Sequence, residues 1–495
     1  MVLRRGRTEV ELVEDDGAAP APARPHAGPE HAAPSPAPAR RRRRRFAVAG
    51  AALAVVLLGA QLVTDARDRA ALAELRTVPG VRAPLPDALT EVWRLPLDRL
   101  PRPVVPTGDP LTGVRGTPDG SELVALAPAT GADAWVVPLT SAPADAVDTL
   151  GTPQPTCHAG AATTGRPALL VCLVTDAWSR DAGVLAHDVP PTTSRLVVVR
   201  ATDGTVVAEH ATDAGPGTPA TSLALLGEVA VLGHPVEPDT LLVRGVDVTT
   251  GEERWRREPP TGRPLLGLDA RGVRRVDGAA AVRDVDGVEL LDAEGTLVRR
   301  ARVPADATVA WTDGADGRGR LLVTDGEQWH LVTQRLNVLL PRPPVDVPVD
   351  DGSGGRLVLA ATRAGLHAVD TATGRQRWTV SVDEVHSALV VQGRVHAVAA
   401  DGVHTYDART GAPLWEHLHA VHDEAAAGTV GTDGRDLYVP VADEGEEQAV
   451  RLLRLALPDG RPSTPVAVPP GLSGLSTGPG PVLGRNAAGE VVGLG

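Results

Sequence analysis

The sequence predicts an all-β chain, a single β-propeller of about eight four-stranded blades, carried behind an N-terminal transmembrane helix and a disordered tail. Three observations predict it. Residues 366–378 read LHAVDTATGRQRW and residues 403–415 read VHTYDARTGAPLW, so one unit recurs after 37 residues. Each copy has an apolar strand, an Asp (Asp370, Asp407), a Thr-Gly turn (Gly374, Gly411) and a strand opening on Trp (Trp378, Trp415). Near the N-terminus, six arginines abut eighteen uncharged residues. A period near 40 with one hairpin per unit marks a propeller blade.

From the N-terminus, residues 1–39 include a Pro/Ala-rich stretch without periodicity and are expected to be disordered. Arginines 40–45 precede FAVAGAALAVVLLGAQLV, residues 46–63. Eighteen apolar residues rise ~27 Å as a helix, enough to cross a bilayer core. The arginines should stay cytoplasmic and send the C-terminal side outward. That gives a single-pass protein of the cell membrane with residues 1–45 inside. A cleaved signal peptide is the nearer rival, but no small-residue cleavage site follows Gly59. Residues 64–90 are read as a juxtamembrane stalk and linker, with 65–77 as an exposed helical extension. Residues 1–45 hold 10 Arg against 6 acidic residues and the remainder 39 Arg against 56, leaving −17 beyond the tail. Such a surface repels polyanions and speaks against nucleic-acid binding.

The domain proper is expected over 91–495. Alternation puts Leu366, Ala368 and Asp370 on one strand face. The Asp can accept backbone N–H groups of the turn, Gly supplies the positive φ, and Trp buries its ring between blades. Further copies end at Trp255, with Asp247 and Gly251, and at Trp135, with Gly131 but Ala127 in place of the Asp. Weaker copies turn at Gly204, Gly295, Arg335 and Gly460. The long step from Gly131 to Gly204 predicts an insertion.

The pattern Ala-x-Asp-x-x-Thr-Gly-x-x-x-Trp, complete at residues 368–378, resembles the repeat of the pyrroloquinoline-quinone (PQQ)-like propellers. The resemblance covers about residues 91–495. It implies an eight-bladed ring, in a superfamily holding both quinoprotein dehydrogenases and non-enzymatic relatives. Eight turns plus one closing blade would make nine units, so one weak unit is expected to be an insertion. The closing blade would pair EVWRLPL, with Trp93 as its outer-strand Trp, against residues 481–495, which removes two exposed sheet edges.

Cys157 and Cys172, the only cysteines, lie in neighbouring apolar runs, consistent with a disulfide between adjacent strands outside the cytoplasm. His417, His419 and His422, followed by Asp423 and Glu424, form the one cluster with conceivable metal chemistry, though solvated rim histidines are the plainer reading. Catalytic and cofactor motifs are otherwise missing. A quinoprotein dehydrogenase resembling its family would show adjacent cysteines stacked on PQQ, and Trp178, Trp311 and Trp329, the tryptophans outside the repeat, adjoin no such pair. The expected function is a non-catalytic, monomeric binding or scaffold module for a protein or cell-envelope ligand, without cofactor. A divergent dehydrogenase using PQQ with calcium is the alternative, and a transmembrane sensor comes third. The insertion between Gly131 and Gly204 and the loops 343–355 and 443–449 are the expected contact regions.

Overall fold

A computed structural model describes residues 61, 66, 67, 69–103, 111–117, 120–141, 155–160, 168–181, 186–237, 240–258, 272–284, 287–303, 307–313, 319–324, 326, 328–419, 430–442, 450–478 and 480–495. Contacts divide the chain after Asp68, and the sheets all belong to the second unit, Arg69–Gly495. The tail and, apart from Gln61, the expected span 46–63 lie outside the described residues. Among those described, no helix is long and apolar enough to cross a membrane.

Nine sheets succeed one another. Blade one comprises Arg102–Pro103, Leu111–Thr117, Gly120–Leu126 and Asp133–Ser141. Blade two comprises Thr156–Ala159, Leu169–Thr175, Ser194–Arg200 and Val206–Ala211. Blade three runs through Ser222–Leu226, Val229–Glu237, Thr240–Asp247 and Glu253–Arg257, and blade four through Val273–Val276, Ala279–Asp284, Gly287–Leu291 and Leu297–Arg302. Blade five has Thr308–Asp313, Gly319–Thr324, Trp329–Val332 and Asn337–Leu340, and blade six Leu357–Thr362, Gly365–Asp370 and Gln376–Val380. Blade seven has Val385–Val391, Arg394–Ala399, Gly402–Asp407 and Pro413–Leu418, and blade eight Gly431–Thr432, Asp436–Ala442 and Val450–Ala456. Blade nine joins Leu472–Ser476, Val482–Asn486 and Val491–Leu494 to Glu91–Leu95 from the far end of the chain.

The core lies between blades rather than within them. Inner strands buried on both faces, such as Ser222–Leu226 and Gly287–Leu291, follow from that packing. Leu173, Leu196 and Val198 of blade two pack on Leu223, Leu225 and Leu232 of blade three. Outer strands alternate toward solvent, as Pro413–Leu418 does.

The count corrects the expectation of eight blades. One weak unit is expected to be an insertion, yet each forms a blade turn; the unit around Arg335, without glycine, is the turn of blade five. Thr333 replaces the usual glycine chemistry there: its Oγ1 accepts from the N–H of Leu336 at 3.1 Å and donates to the Leu336 carbonyl at 2.8 Å. The expected insertion is present in blade two, where the hairpin Trp178–Asp181 with Ala186–Val189 stands between its second and third strands. Two blades also depart from four regular strands. In blade six the inner segment leaves its own sheet: Asp346–Asp350 pairs in parallel with Val385–Val391 of blade seven. In blade eight the outer strand survives only as the bridges Leu452–Val466 and Leu455–Pro462.

Two segments are partly packed. Within loop 343–355, Val345, Val347 and Val349 enter the core at 7%, 8% and 0% exposure, while residues 352, 353 and 355 are exposed. The described part of the stalk is mostly exposed, with Leu75 the buried exception. Residues 69–75 are helical, and Leu75 is buried against Val349, Leu389, Val391 and Leu437.

Candidate functional site

The repeated residues build the seams between blades. In each complete unit the Asp accepts two backbone N–H groups of its turn: Asp370 Oδ1 from Ala372 and Thr373 at 2.8 and 3.0 Å, Asp407 Oδ1 from Arg409 and Thr410 at 3.1 and 2.8 Å, and Asp247 Oδ1 from Thr249 and Thr250 at 2.8 and 2.9 Å. These donors hold the Asp247 carboxyl down at about 2, the Thr250 N–H most of all. Arg254 and Arg377, seven residues on, clamp Asp247 and Asp370 from the next strand. The sequence reading missed these arginines, although the spacing is the same in both units. Ala127 shows that the turn also closes without the carboxylate, through Gly131 N–H to the Ala127 carbonyl at 2.8 Å.

Most turn glycines then receive an outer-strand ring of the preceding blade; Gly374 instead meets Leu336. A Cβ on Gly411 would lie 2.7 Å from the Trp378 ring, one on Gly131 2.7 Å from Trp93, and one on Gly295 2.5 Å from Trp255. The indoles donate across the seam: Trp93 Nε1 to Pro128 O at 2.7 Å, Trp255 to Ala293 O at 2.8 Å, Trp378 to Ala408 O at 2.9 Å and Trp415 to Leu457 O at 3.1 Å. Trp135 covers Gly204 without such a bond, its Nε1 buried and unpartnered. Weak units substitute other donors. His210 covers Gly251 and faces Thr249 O at 3.2 Å, and Arg299 reaches Asn337 Oδ1 at 2.7 Å. Glu289, fully buried, is held between Arg257 of blade three and Arg300 of its own blade.

Gly411 tests this architecture. Its φ of +73° excludes most side chains, and Trp378 fills the space above it. Gly411→Val is expected to cost about 3 kcal/mol from left-handed backbone strain and overpacking together. Thermal unfolding of the variant checks this; a melting point within a degree of the parent would show the seam is not tight.

Cys157 and Cys172 stand directly opposite in adjacent strands of blade two and form the expected disulfide, with an S–S length of 2.01 Å. Both are buried beside Val114, Leu123 and Leu139 of blade one. Closing a loop of this length stabilises by about 3 kcal/mol in the chain-entropy account.

Two of the three clustered histidines are described. His417 lies in the outer strand of blade seven and His419 just beyond it, with ring centroids 5.7 Å apart, and His419 Nδ1 turns to the His417 carbonyl at 3.3 Å. His422 lies outside the described residues. His404, opposite Glu416 across the sheet, binds Asp401 at 2.8 Å on the other face. Among the described residues no group of three His, Cys, Asp or Glu could hold a metal ion.

The two ends of the ring differ. Antiparallel blades put first-to-second and third-to-fourth strand connections at one end, and all others at the opposite end. Five long connections, residues 142–155, 176–193, 212–221, 258–272 and 419–430, join strand ends that all belong to the second end. At the first end nothing exceeds 160–168, and the N-terminal helix docks there, with Leu72 and Leu75 over Gly434 in the first turn of blade eight.

Nine sheets closed by pairing the two ends of the second unit make a β-propeller, and its best turns carry the PQQ-like pattern. Residues 239–453 match the family described as outer membrane protein assembly factor BamB, a family of such repeats. Among solved structures, BamB from Moraxella catarrhalis is similar at 18% identity, covering 82% of this chain and 99% of that one with a TM-score of 0.34. The quinohemoprotein alcohol dehydrogenase from Comamonas testosteroni is similar at 13% identity, covering 82% and 76% with a TM-score of 0.33. A europium-containing methanol dehydrogenase gives 11% identity, 71% and 84% coverage and a TM-score of 0.33. Likenesses this distant carry no argument about activity. No curated protein matches the sequence.

Proposed function

We propose that the chain is a non-catalytic binding or scaffold module, tethered to a membrane through residues 46–63 with the ring outside the cytoplasm. One observation carries the reading: five pairs of strand ends joined by long connections lie at one end of the ring, while the N-terminal helix docks at the other. A rigid ring with variable loops at one end suits recognition of a protein or another cell-envelope component. The match to the BamB family, whose name describes a protein-assembly factor, supports the same class.

The rival reading, a PQQ-dependent dehydrogenase, would need adjacent cysteines against the quinone. Here the two cysteines pair across strands and are sealed inside the seam between blades one and two, so these residues do not fit that cofactor.

Photo-cross-linking in cells tests the proposal. A cross-linking residue at Asp401, in an exposed turn of the long-connection end, should capture an envelope component. One at Gln392, exposed at the opposite end, should not. Capture from Gln392 alone, or micromolar PQQ binding with substrate-dependent dye reduction by the purified protein, would sink the reading.

A further inference from the structure

Seams of the ring are closed by a side chain lying over, or bonded to, the third-to-fourth strand turn of the next blade, as Trp93, Trp135, His210, Trp255, Arg299, Trp378 and Trp415 do. One seam cannot be closed this way. Blade nine has no such turn, because its third strand, Val491–Leu494, pairs with a fourth, Glu91–Leu95, that comes about 400 residues earlier in the chain.

The segment preceding Glu91 fills that place. Leu85 and Leu89 enter the cluster formed by Tyr438, Leu452 and Val466 of blade eight with Leu472, Leu475, Val492 and Leu494 of blade nine. The Leu85 N–H donates to the Tyr438 hydroxyl at 3.1 Å, and that hydroxyl donates to Asp433 Oδ2 at 2.9 Å. Arg454 holds Asp87 at 2.9 Å and the Leu85 carbonyl at 2.8 Å. Leu89 N–H meets the Ala467 carbonyl at 2.8 Å. Further back, Val81 pairs in parallel with Thr432, and Arg82 Nη1 reaches the Thr477 carbonyl at 3.3 Å. Gly80 passes so close to Pro348 that a Cβ would lie 2.5 Å from its carbonyl oxygen.

This closure differs in kind from the others. Four tryptophan seams are apolar with the single indole donor satisfied. Here two half-buried arginines, Arg82 and Arg454, each keep a buried Nε that lacks any partner. Burial drops the Arg82 guanidinium to about 10. A buried polar group left unpaired is costly, so these contacts are less fully compensated than the four tryptophan seams whose indole donors are satisfied.

We propose that residues 78–89 are a releasable latch: they take the place of the missing turn between blades eight and nine, and the ring opens first at that seam when the latch lets go.

Amide hydrogen exchange on the full-length protein tests it. In the parent, Glu91–Leu95 and Val491–Leu494 should exchange faster than Ser222–Leu226 and Gly287–Leu291. Leu85→Asp should speed exchange in the first pair at least tenfold and leave the second pair within twofold. Should Leu85→Asp fail to fold, Arg454→Lys keeps the charge but loses the fork, and the same local pattern is expected at smaller amplitude. The exposed change Ala73→Asp serves as control and should alter neither pair. Uniform acceleration over all blades, no acceleration at the closing blade, or faster opening at a tryptophan seam would each overturn the proposal.

Discussion

Removing residues 481–495 is expected to abolish the folded ring. The cut takes Val482–Asn486 and Val491–Leu494 out of blade nine and leaves Leu472–Ser476 and Glu91–Leu95 without partners. Trp93, 6% exposed, loses the strand it lies on; its ring is so close to Gly493 that a Cβ there would sit 1.9 Å from Cε2. Val482, Val491, Val492 and Leu494 are all buried, and their four side chains account for about 8 kcal/mol of burial. That is comparable to the whole stability of an ordinary domain, about 5–15 kcal/mol. Two open sheet edges would add aggregation to the loss. Size-exclusion chromatography and circular dichroism melting should show an aggregated product without a cooperative transition, whereas deletion of residues 1–39 should leave the transition in place. A protein ending at 480 that melts like the parent would mean the two chain ends are not paired.

Some of this was legible in the sequence because the chemistry of a seam is repetitive. An Asp, a turn Gly and a Trp recur where a turn has to meet the preceding blade's ring, and so the hairpins and the closing pair could be read. The blade count was harder, since His210, Arg299 and Thr333 take the roles of tryptophan or glycine in weak units, and substitution by unlike residues hides a repeat. Residues 343–355 do carry a local signal: Val345, Val347 and Val349 alternate with polar or proline positions, the period of a half-buried strand. The latch carries less. Its leucines and valines stand among three prolines, a composition that reads as linker, and their burial depends on partners from Val349 to Leu494 that no local pattern reveals. The candidate site was legible only as an absence of catalytic motifs; which end of the ring is free follows from the topology of nine blades, not from any one residue.

Acid should weaken the fold well before its carboxylates titrate. His234 and His396 are 0% and 1% exposed, each with one ring nitrogen engaged, to the Thr218 carbonyl at 3.2 Å and to Thr405 Oγ1 at 2.8 Å, and each with Nε2 buried and unpartnered. Desolvation drops His234 to about 4 and His396 to about 3, with the nearby Arg394 adding to the second. His419 moves the same way, again through burial. In the unfolded chain these imidazoles take up protons near pH 6.5. Unfolding therefore binds protons, so stability is complete above pH 6.5 and is lost as pH falls from there toward 4 and 3. At pH 5 the first two histidines together remove about 4 kcal/mol. Only below about pH 4 do Asp247 and the other turn aspartates, held low by their hydrogen bonds, begin to add their own loss. Urea unfolding from pH 7.5 to 5 should show the midpoint falling steeply, and His396→Gln, which cannot charge, should flatten the fall even though it lowers stability at neutral pH. A midpoint constant across that interval would show that these rings keep their ordinary titration and are reached by water.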